Sequence, residues 1–147
     1  RRLQRMFLAT IAGNAALLAC VGTVFKLSGA TAIFGRVSSP NPHFFASFFY
    51  YNHWGAFAVL GAAAAIGLAM DLGRRDRHTS WQHTPAPLLG VLALLQLASL
   101  PLSGGRASAV AGLLLAVVVA GRMAFGLARS GRHMTLISAS LLAAGPR

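Results

Sequence analysis

The chain has 147 residues, of which 56% are hydrophobic and only 10% are charged, and thirteen Lys and Arg residues against two acids give a formal net charge of +11. A soluble domain of ordinary composition has about 25% charged residues. A globule of this length could not bury so much apolar surface while covering its exterior with so few charges. The composition therefore excludes an ordinary soluble domain and predicts a chain whose main solvent is lipid.

Long apolar runs predict an all-α fold, a polytopic bundle of transmembrane helices. A helix needs about 20 apolar residues to cross the hydrocarbon core of a bilayer. The runs are too long, and alternate too little, for transmembrane strands. We expect four spans and a partial fifth within one domain, and we expect the chain to be a segment of a larger membrane protein. The expected spans are residues 6–27, 48–72, 85–102, 107–128 and, as the partial fifth, 134–147.

The basic residues are distributed unequally between the two ends of these spans. Lys26, Arg36 and Arg106 fall at one set of ends, and eight arginines fall at the other: Arg1, Arg2, Arg5, Arg74, Arg75, Arg77, Arg129 and Arg132. Cytoplasmic loops carry the excess of Lys and Arg in membrane proteins. The distribution predicts a multi-pass protein with a cytoplasmic N-terminus. Because topology accounts for most of the positive charge, no nucleic-acid partner is expected.

Small residues in the second span predict close helix packing. Gly61 with Ala65, and Ala63 with Gly67, are spaced four residues apart, so each pair lies on one helix face. Pairs of small residues at this spacing let the backbones of membrane helices approach each other. The pattern indicates packing and is not a sign of a ligand site.

Acidic residues are absent from the predicted outer side, because Asp71 and Asp76 are the only acids and both fall at the cytoplasmic end of the second span. A paired-carboxylate mechanism and an acidic motif that holds Mg²⁺ or Mn²⁺ are therefore excluded there. The single cysteine, Cys20, allows no disulfide within the chain. The histidines provide neither metal-ligand spacing nor a pair at matching depth for haem, so no metal or cofactor is expected.

The predicted outer end contains the candidate binding residues. Asn52 and His53 lie near the end of an apolar helix, where a polar group is costly unless it faces protein or a wet cavity. Lys26, Arg36 and Arg106 form a cationic rim, and arginine binds phosphate through two parallel hydrogen bonds. The alternatives are structural hydrogen bonding for the first pair and snorkelling for the cations. An aromatic belt at the interface is the alternative for the aromatic residues between Phe44 and Trp54.

Three segments resemble, in order and spacing, the membrane family of O-antigen ligases and O-antigen polymerases. Residues 48–57 read FFYYNHWGAF and resemble the family's F-x-Y/N-R-N-H-F/W-A/G segment. Residues 22–29 read GTVFKLSG and resemble its G-x-x-Q-x-L-T-G stretch. Residues 102–107 read LSGGRA and resemble its L-S-x-S-R-G/A turn, except that Gly105 stands where the family has serine.

The resemblance implies part of a bacterial inner-membrane glycan transferase. Such enzymes move a saccharide from undecaprenyl diphosphate to a glycan or lipid A-core acceptor on the periplasmic face, without a metal. Arg106 matches an arginine of the family, and Asn52 and His53 match its N-H pair. The catalytic residues are not assigned, because the family's proposed base, a histidine, belongs to a large periplasmic loop that follows the helices seen here.

Two other classes of protein remain open at this point. A multi-span transporter or permease would have the same apolar runs, and broken helices at the bilayer midplane would favour it. A non-catalytic structural membrane subunit would use Asn52 and His53 for packing alone.

Overall fold

A computed structural model describes residues 2–34, 36–38, 43–75 and 84–143. The prediction of a helical chain is confirmed. Two very short strands pair antiparallel, Ala32 with Ser38 and Ile33 with Val37, in a hairpin that the sequence patterns did not predict. The elements in chain order are α1 (Arg2–Leu27), β1 (Ala32–Ile33), β2 (Val37–Ser38), α2 (Tyr51–Arg75), α3 (Ala86–Leu102) and α4 (Arg106–Ala143).

Three of the helices are long and apolar enough to cross a membrane: α1, α2 over Tyr51–Gly73, and α4 over Arg106–Phe125. Helix α3 begins and ends close to where the sequence predicts, but its 17 residues rise only about 26 Å at 1.5 Å per residue. The hydrocarbon core is about 30 Å thick. Three candidate spans are thus present in the described part of the chain, and the expected four-span bundle is not confirmed.

The expected break between a fourth and a fifth span is absent, because α4 continues as one helix of 38 residues to Ala143. The basic residues near position 130 predicted a loop, but the segment has no proline to interrupt the backbone hydrogen bonds. Gly131 is the one glycine between residues 128 and 134. A glycine inside a helix costs only about 1 kcal/mol relative to alanine. The chain forms two compact units, Arg1–Gly112 and Leu113–Arg147, and the boundary between them falls within α4.

Helices α1, α2 and α3 pack against one another in the first unit. The buried positions of α1 are all small residues, namely Ala12, Ala15, Ala16, Ala19 and Gly22, with Leu18 and Val21 partly buried beside them. Lipid tails are as apolar as leucine, so membrane helices associate through close packing and hydrogen bonds instead of through the hydrophobic effect. A face of alanine and glycine lets the neighbouring backbones approach closely enough for such packing.

An ion pair joins the start of α1 to the end of α2. Arg5 donates from Nε to Asp71 Oδ2 over 2.8 Å and from Nη2 to the same oxygen over 2.5 Å. Both side chains are partly exposed, 28% for Arg5 and 50% for Asp71. The contact places the two residues at the same end of the unit, so α1 and α2 are antiparallel.

Gln96 of α3 lies where the three helices meet. Its side chain is fully buried, and Nε2 donates a hydrogen bond of 3.0 Å to the backbone oxygen of Ala12. Its Oε1 has no hydrogen-bond partner and fills the space beside Gly61, where an added Cβ would come within 2.4 Å of it. The same Cβ would lie 2.4 Å from Cβ of Ala15. Gly61 therefore provides the room in which α1, α2 and Gln96 fit.

The two small-residue pairs predicted in α2 differ in their burial. Gly61 and Ala65 are buried, so the prediction of close packing is confirmed for this pair. Ala63 and Gly67 are exposed, and a Cβ added to Gly67 would meet nothing within 4 Å. Only the first pair faces the other helices of the unit.

We expect Gly61→Ala to destabilise the protein, because the new methyl group would overlap Ala15 and the Gln96 amide. Overpacking of this kind costs about 1–3 kcal/mol. Thermal unfolding of the purified protein in detergent should show a lower Tm for this variant.

Gly67→Ala is the matched control, since it adds the same methyl group to the same helix in open space. Alanine is the better helix former, so its Tm should equal or exceed that of the wild type. Equal melting temperatures for the two variants would contradict the packing described around Gly61.

Candidate functional site

The candidate site lies at the end of the first unit opposite the Arg5–Asp71 pair. We call it the hairpin end, meaning residues 26–34, 36–38, 43–53 and 103–106. Helix α1 ends there, and helices α2 and α4 begin there. All five candidate residues from the sequence fall in it: Lys26, Arg36, Asn52, His53 and Arg106.

An aromatic pair forms the buried base of the hairpin end. Phe45 and Trp54 are fully buried, and their rings stack with centroids 4.7 Å apart and an interplanar angle of 23°. The Phe45 ring occupies the space beside Gly22 of α1, where an added Cβ would lie only 2.1 Å from ring atom Cε1. The pair thus joins the segment before α2 to both α1 and α2.

A two-residue turn positions Phe45. The backbone N–H groups of Phe45 and Phe48 each donate to the carbonyl oxygen of the other, over 3.0 and 2.9 Å. Ala46, the first residue of the turn, has a φ of 51°, a value that tight hairpin turns require and that usually selects glycine. Ala46 is buried in the same hydrophobic cluster as Phe45. The hydrogen bonds and this packing hold the turn in place.

The aromatic-belt interpretation applies to only some of these residues. Phe49 and Tyr50 are exposed, at 43% and 61%. Phe44, Phe45 and Trp54 are buried instead, and the Trp54 Nε1–H has no hydrogen-bond partner. The sequence did not distinguish the exposed aromatic residues from the buried ones. The buried ones are covered only when the loop before α2 packs on the helices.

The turn between α3 and α4 packs on the start of α2. The Oγ atoms of Ser103 and Ser108 donate to the carbonyl oxygens of Leu100 and Gly105, over 2.7 and 2.9 Å. A Cβ added to Gly105 would lie 2.4 Å from Ser108 Oγ and 3.2 Å from Tyr51 Cδ2. One turn further along α2, a Cβ on Gly55 would lie 2.1 Å from Ser108 Cβ.

These contacts bring together the three segments that carried the family resemblance. Residues 22–29 meet residues 48–57 through Phe45, and residues 48–57 meet residues 102–107 through Tyr51 and Ser108. The departure of Gly105 from the family pattern has a physical reason here, because Tyr51 and Ser108 occupy the space that a side chain would need. The sequence predicted the order of these segments but not their contact.

The predicted site residues differ in their surroundings. Lys26 lies near the end of α1 with Nζ 5.5 Å from the centroid of the Phe44 ring, a cation–π contact. Arg36 is exposed in the hairpin. Asn52 and His53 are exposed in the first turn of α2, and the His53 ring lies 5.7 Å from that of Tyr50, edge to face. Arg106 is exposed at the first residue of α4.

The structure gathers these residues at one end of the unit. Within the described ranges, no hydrogen bond or ion pair joins Arg106 to Asn52 or His53. The first turns of α2 and α4 are adjacent, since Gly105 contacts Tyr51. Each turn also presents backbone N–H groups and the positive end of its helix dipole. Because Asp71 lies at the opposite end, the hairpin end combines fixed positive charge with exposed polar side chains and favours an anion.

Sequence patterns did not single out His43 as a candidate site residue. Its ring packs edge to face on Tyr51, with centroids 6.2 Å apart, and its Nδ1 lies 3.7 Å from the Cβ position of Gly104. Gly104 has a φ of 79°, so glycine relieves backbone strain at this position. His43 precedes α2 by several residues, and no local spacing relates it to a turn some sixty residues later. Only the tertiary contact identifies it.

Across the residues that the structure describes, no group of three or more His, Cys, Asp or Glu side chains is placed to hold a metal ion. The side chains at the hairpin end carry guanidinium, ammonium, imidazole, amide and hydroxyl groups.

We expect Gly105→Ser, which introduces the residue typical of the family, to lower the Tm of the protein. The new side chain would overlap Ser108 Oγ and the Tyr51 ring, and overpacking costs about 1–3 kcal/mol. Gly90→Ser in α3 is the control, because a Cβ at Gly90 would meet nothing within 4 Å. If Gly105→Ser unfolds at the wild-type temperature, the close approach of the turn to α2 is contradicted.

Comparison with known proteins adds no assignment. No protein-family model matches the chain, and no curated protein or solved structure shows significant similarity to it.

Proposed function

We propose that this chain is part of a glycan transferase of the O-antigen ligase and polymerase type in the bacterial inner membrane. In this proposal the enzyme moves a saccharide from undecaprenyl diphosphate to a glycan or lipid A-core acceptor at the periplasmic face. The observation that supports it is that residues 22–29 and 48–57 both pack on Phe45, and that Gly105 of residues 102–107 approaches Tyr51, at one cationic end of the helical unit. These are the segments that resemble the family, and they are separated by tens of residues along the chain.

The electrostatics of the hairpin end suit a diphosphate. Arg106 stays charged at any physiological pH and presents paired N–H donors that fit two phosphate oxygens. It stands at the start of α4, where the helix dipole also favours an anion. Lys26 and Arg36 add positive charge at the same end. Asp71 lies near the far end of α2 from this end, so among the described residues no carboxylate side chain competes with a bound phosphate there.

Such a site would act mainly on the leaving group. The acceptor hydroxyl oxygen bonds to the anomeric carbon of the donor sugar while the bond from that carbon to the diphosphate oxygen breaks. The electron pair remains on the diphosphate, and the hydroxyl proton passes to a general base. Arg106 would stabilise the negative charge that develops on the diphosphate, a contribution that is often the largest in group transfer. Asn52 and His53, exposed in the neighbouring turn, would line the path to the acceptor.

We expect Arg106→Ala to reduce glycan transfer by about 100-fold, since loss of one charge-stabilising donor typically costs a factor of 10²–10³. The assay measures transfer from undecaprenyl-diphosphate glycan in membrane vesicles containing the full-length protein. Arg106→Lys should retain an intermediate rate, because lysine keeps the charge but loses the paired hydrogen bonds.

Arg122→Ala is the matched control, an exposed arginine of the same helix that lies four turns further along. It should transfer glycan at the wild-type rate, and all variants should insert into the membrane in equal amounts. Wild-type transfer by Arg106→Ala would remove Arg106 from the proposed site. No transfer by the wild-type protein from any undecaprenyl-linked donor would contradict the proposed function itself.

The proposed orientation places Arg36 in the periplasm and position 77, which lies outside the described residues, in the cytoplasm. In a Cys20→Ala background, a membrane-impermeant maleimide added to intact spheroplasts should label Arg36→Cys. It should label Arg77→Cys only after the membrane is permeabilised. Labelling of both positions from the same side would contradict this topology.

A further inference from the structure

One polar side chain of α1 lies at the middle of the helix and outside the three-helix packing. Asn14 lies along the helix axis about 18 Å from Arg2 and about 20 Å from Leu27, at 1.5 Å per residue. In a helix that spans the membrane, this is close to the bilayer midplane. Asn14 is exposed, because α2 and α3 pack on the opposite face of α1, which carries Ala12, Ala15 and Ala19.

An amide at this depth needs a partner. Each polar group left without a hydrogen bond in hydrocarbon costs several kcal/mol, and intramembrane polar residues usually pair within protein. Asn14 makes no side-chain hydrogen bond within the described ranges. Thr10, one turn earlier, satisfies its hydroxyl by donating to the Met6 carbonyl oxygen over 2.9 Å. The Asn14 side chain extends outward without such a bond.

The residues around Asn14 form a seam suited to another helix. They are spaced alternately three and four residues apart, which is the repeat of a left-handed helix pair. Gly13 lies beside the seam, and a Cβ at this position would meet nothing within 4 Å, so a second backbone could approach closely. The seam consists of Phe7, Thr10, Asn14, Leu17, Val21 and Val24, all exposed except the partly buried Val21.

We propose that this seam binds the same seam of a second copy of the chain, forming a two-fold dimer. All copies of a membrane protein have the same orientation, so the two-fold axis is perpendicular to the membrane and the two α1 helices are parallel. Identical residues then meet at identical depth. The amide of each Asn14 donates from Nδ2 to Oδ1 of the other, which satisfies both groups. A self-complementary side chain at the centre of the seam specifies both partner and register.

The described side chains of the other helices include no exposed amide at this depth. Among the side chains that the structure describes, the middle turns of α2 and α3 carry no exposed polar group, and neither does α4 between Val110 and Gly121. Gln96, the polar residue in the middle of α3, is buried against Ala12. A second Asn14 is the group that this chain itself supplies at the required depth.

The test uses the full-length protein, labelled with a fluorophore and reconstituted in liposomes. The protein-to-lipid ratio is varied, and the fraction of dimers at each ratio is counted by single-molecule photobleaching. Asn14→Leu should weaken dimerisation by roughly 5- to 30-fold, the range expected for an interhelical amide pair in lipid. Asn14→Gln, which keeps donor and acceptor, should retain dimers. Thr10→Val is the matched control within the seam and should change the dissociation constant less than about 2-fold, because its hydroxyl is already satisfied.

Cross-linking provides a second readout that does not depend on affinity. In the Cys20→Ala background, single cysteines at Thr10, Leu17 and Val24 should form intermolecular disulfides on mild oxidation. Cysteines at the exposed off-seam positions Ala9 and Leu88 should not. A wild-type protein that is monomeric at every protein-to-lipid ratio would overturn the proposal. So would an unchanged dissociation constant for Asn14→Leu, or preferential cross-linking at Ala9 or Leu88, which would indicate another face.

Discussion

The packing of this chain depends on the hydrogen bond from Gln96 to the Ala12 carbonyl and on the space beside Gly61 that admits the Gln96 side chain. A buried amide in an apolar helix interface costs free energy unless it is hydrogen-bonded. Gln96 satisfies its donor on α1 while its acceptor faces α2, so one side chain relates all three helices of the unit. The small residues of α1 follow from the same requirement, because larger ones would hold the backbones too far apart for the bond to form.

Aromatic rings attach the hairpin end to the packed helices. Phe45 fills the space beside Gly22 and stacks on Trp54, and the turn after α3 closes on Tyr51. Stacked aromatic pairs contribute about 0.5–1.5 kcal/mol beyond the area that they bury. Here the rings also determine where the chain between α1 and α2 lies. The cations and polar residues of the hairpin end therefore stand on a buried aromatic base.

The distribution of charge separates the two ends of the unit chemically. At one end Arg5 and Asp71 neutralise each other. At the hairpin end Arg36 and Arg106 are exposed and no carboxylate is present among the described residues. An isolated guanidinium at a membrane surface attracts phosphate whether the phosphate belongs to a lipid headgroup or to a substrate. This shared chemistry is the reason that the proposed function centres on a diphosphate-linked lipid.

The sequence by itself determined that the chain is helical and that most of its surface suits lipid. It also determined where the first three helices lie and that the basic residues are unequally distributed along the chain. These properties depend on composition and on apolar runs, which are local along the chain. It also predicted that Gly61 and Ala65 permit close packing. Only the tertiary structure decided which small pair of α2 faces another helix, that Phe45 and Trp54 are buried while Tyr50 is not, and that α4 continues past residue 128. The physical reason is that burial of a side chain depends on which helix faces meet. That choice rests on contacts such as Gln96 with Ala12 and Gly105 with Tyr51, which join residues far apart in the sequence.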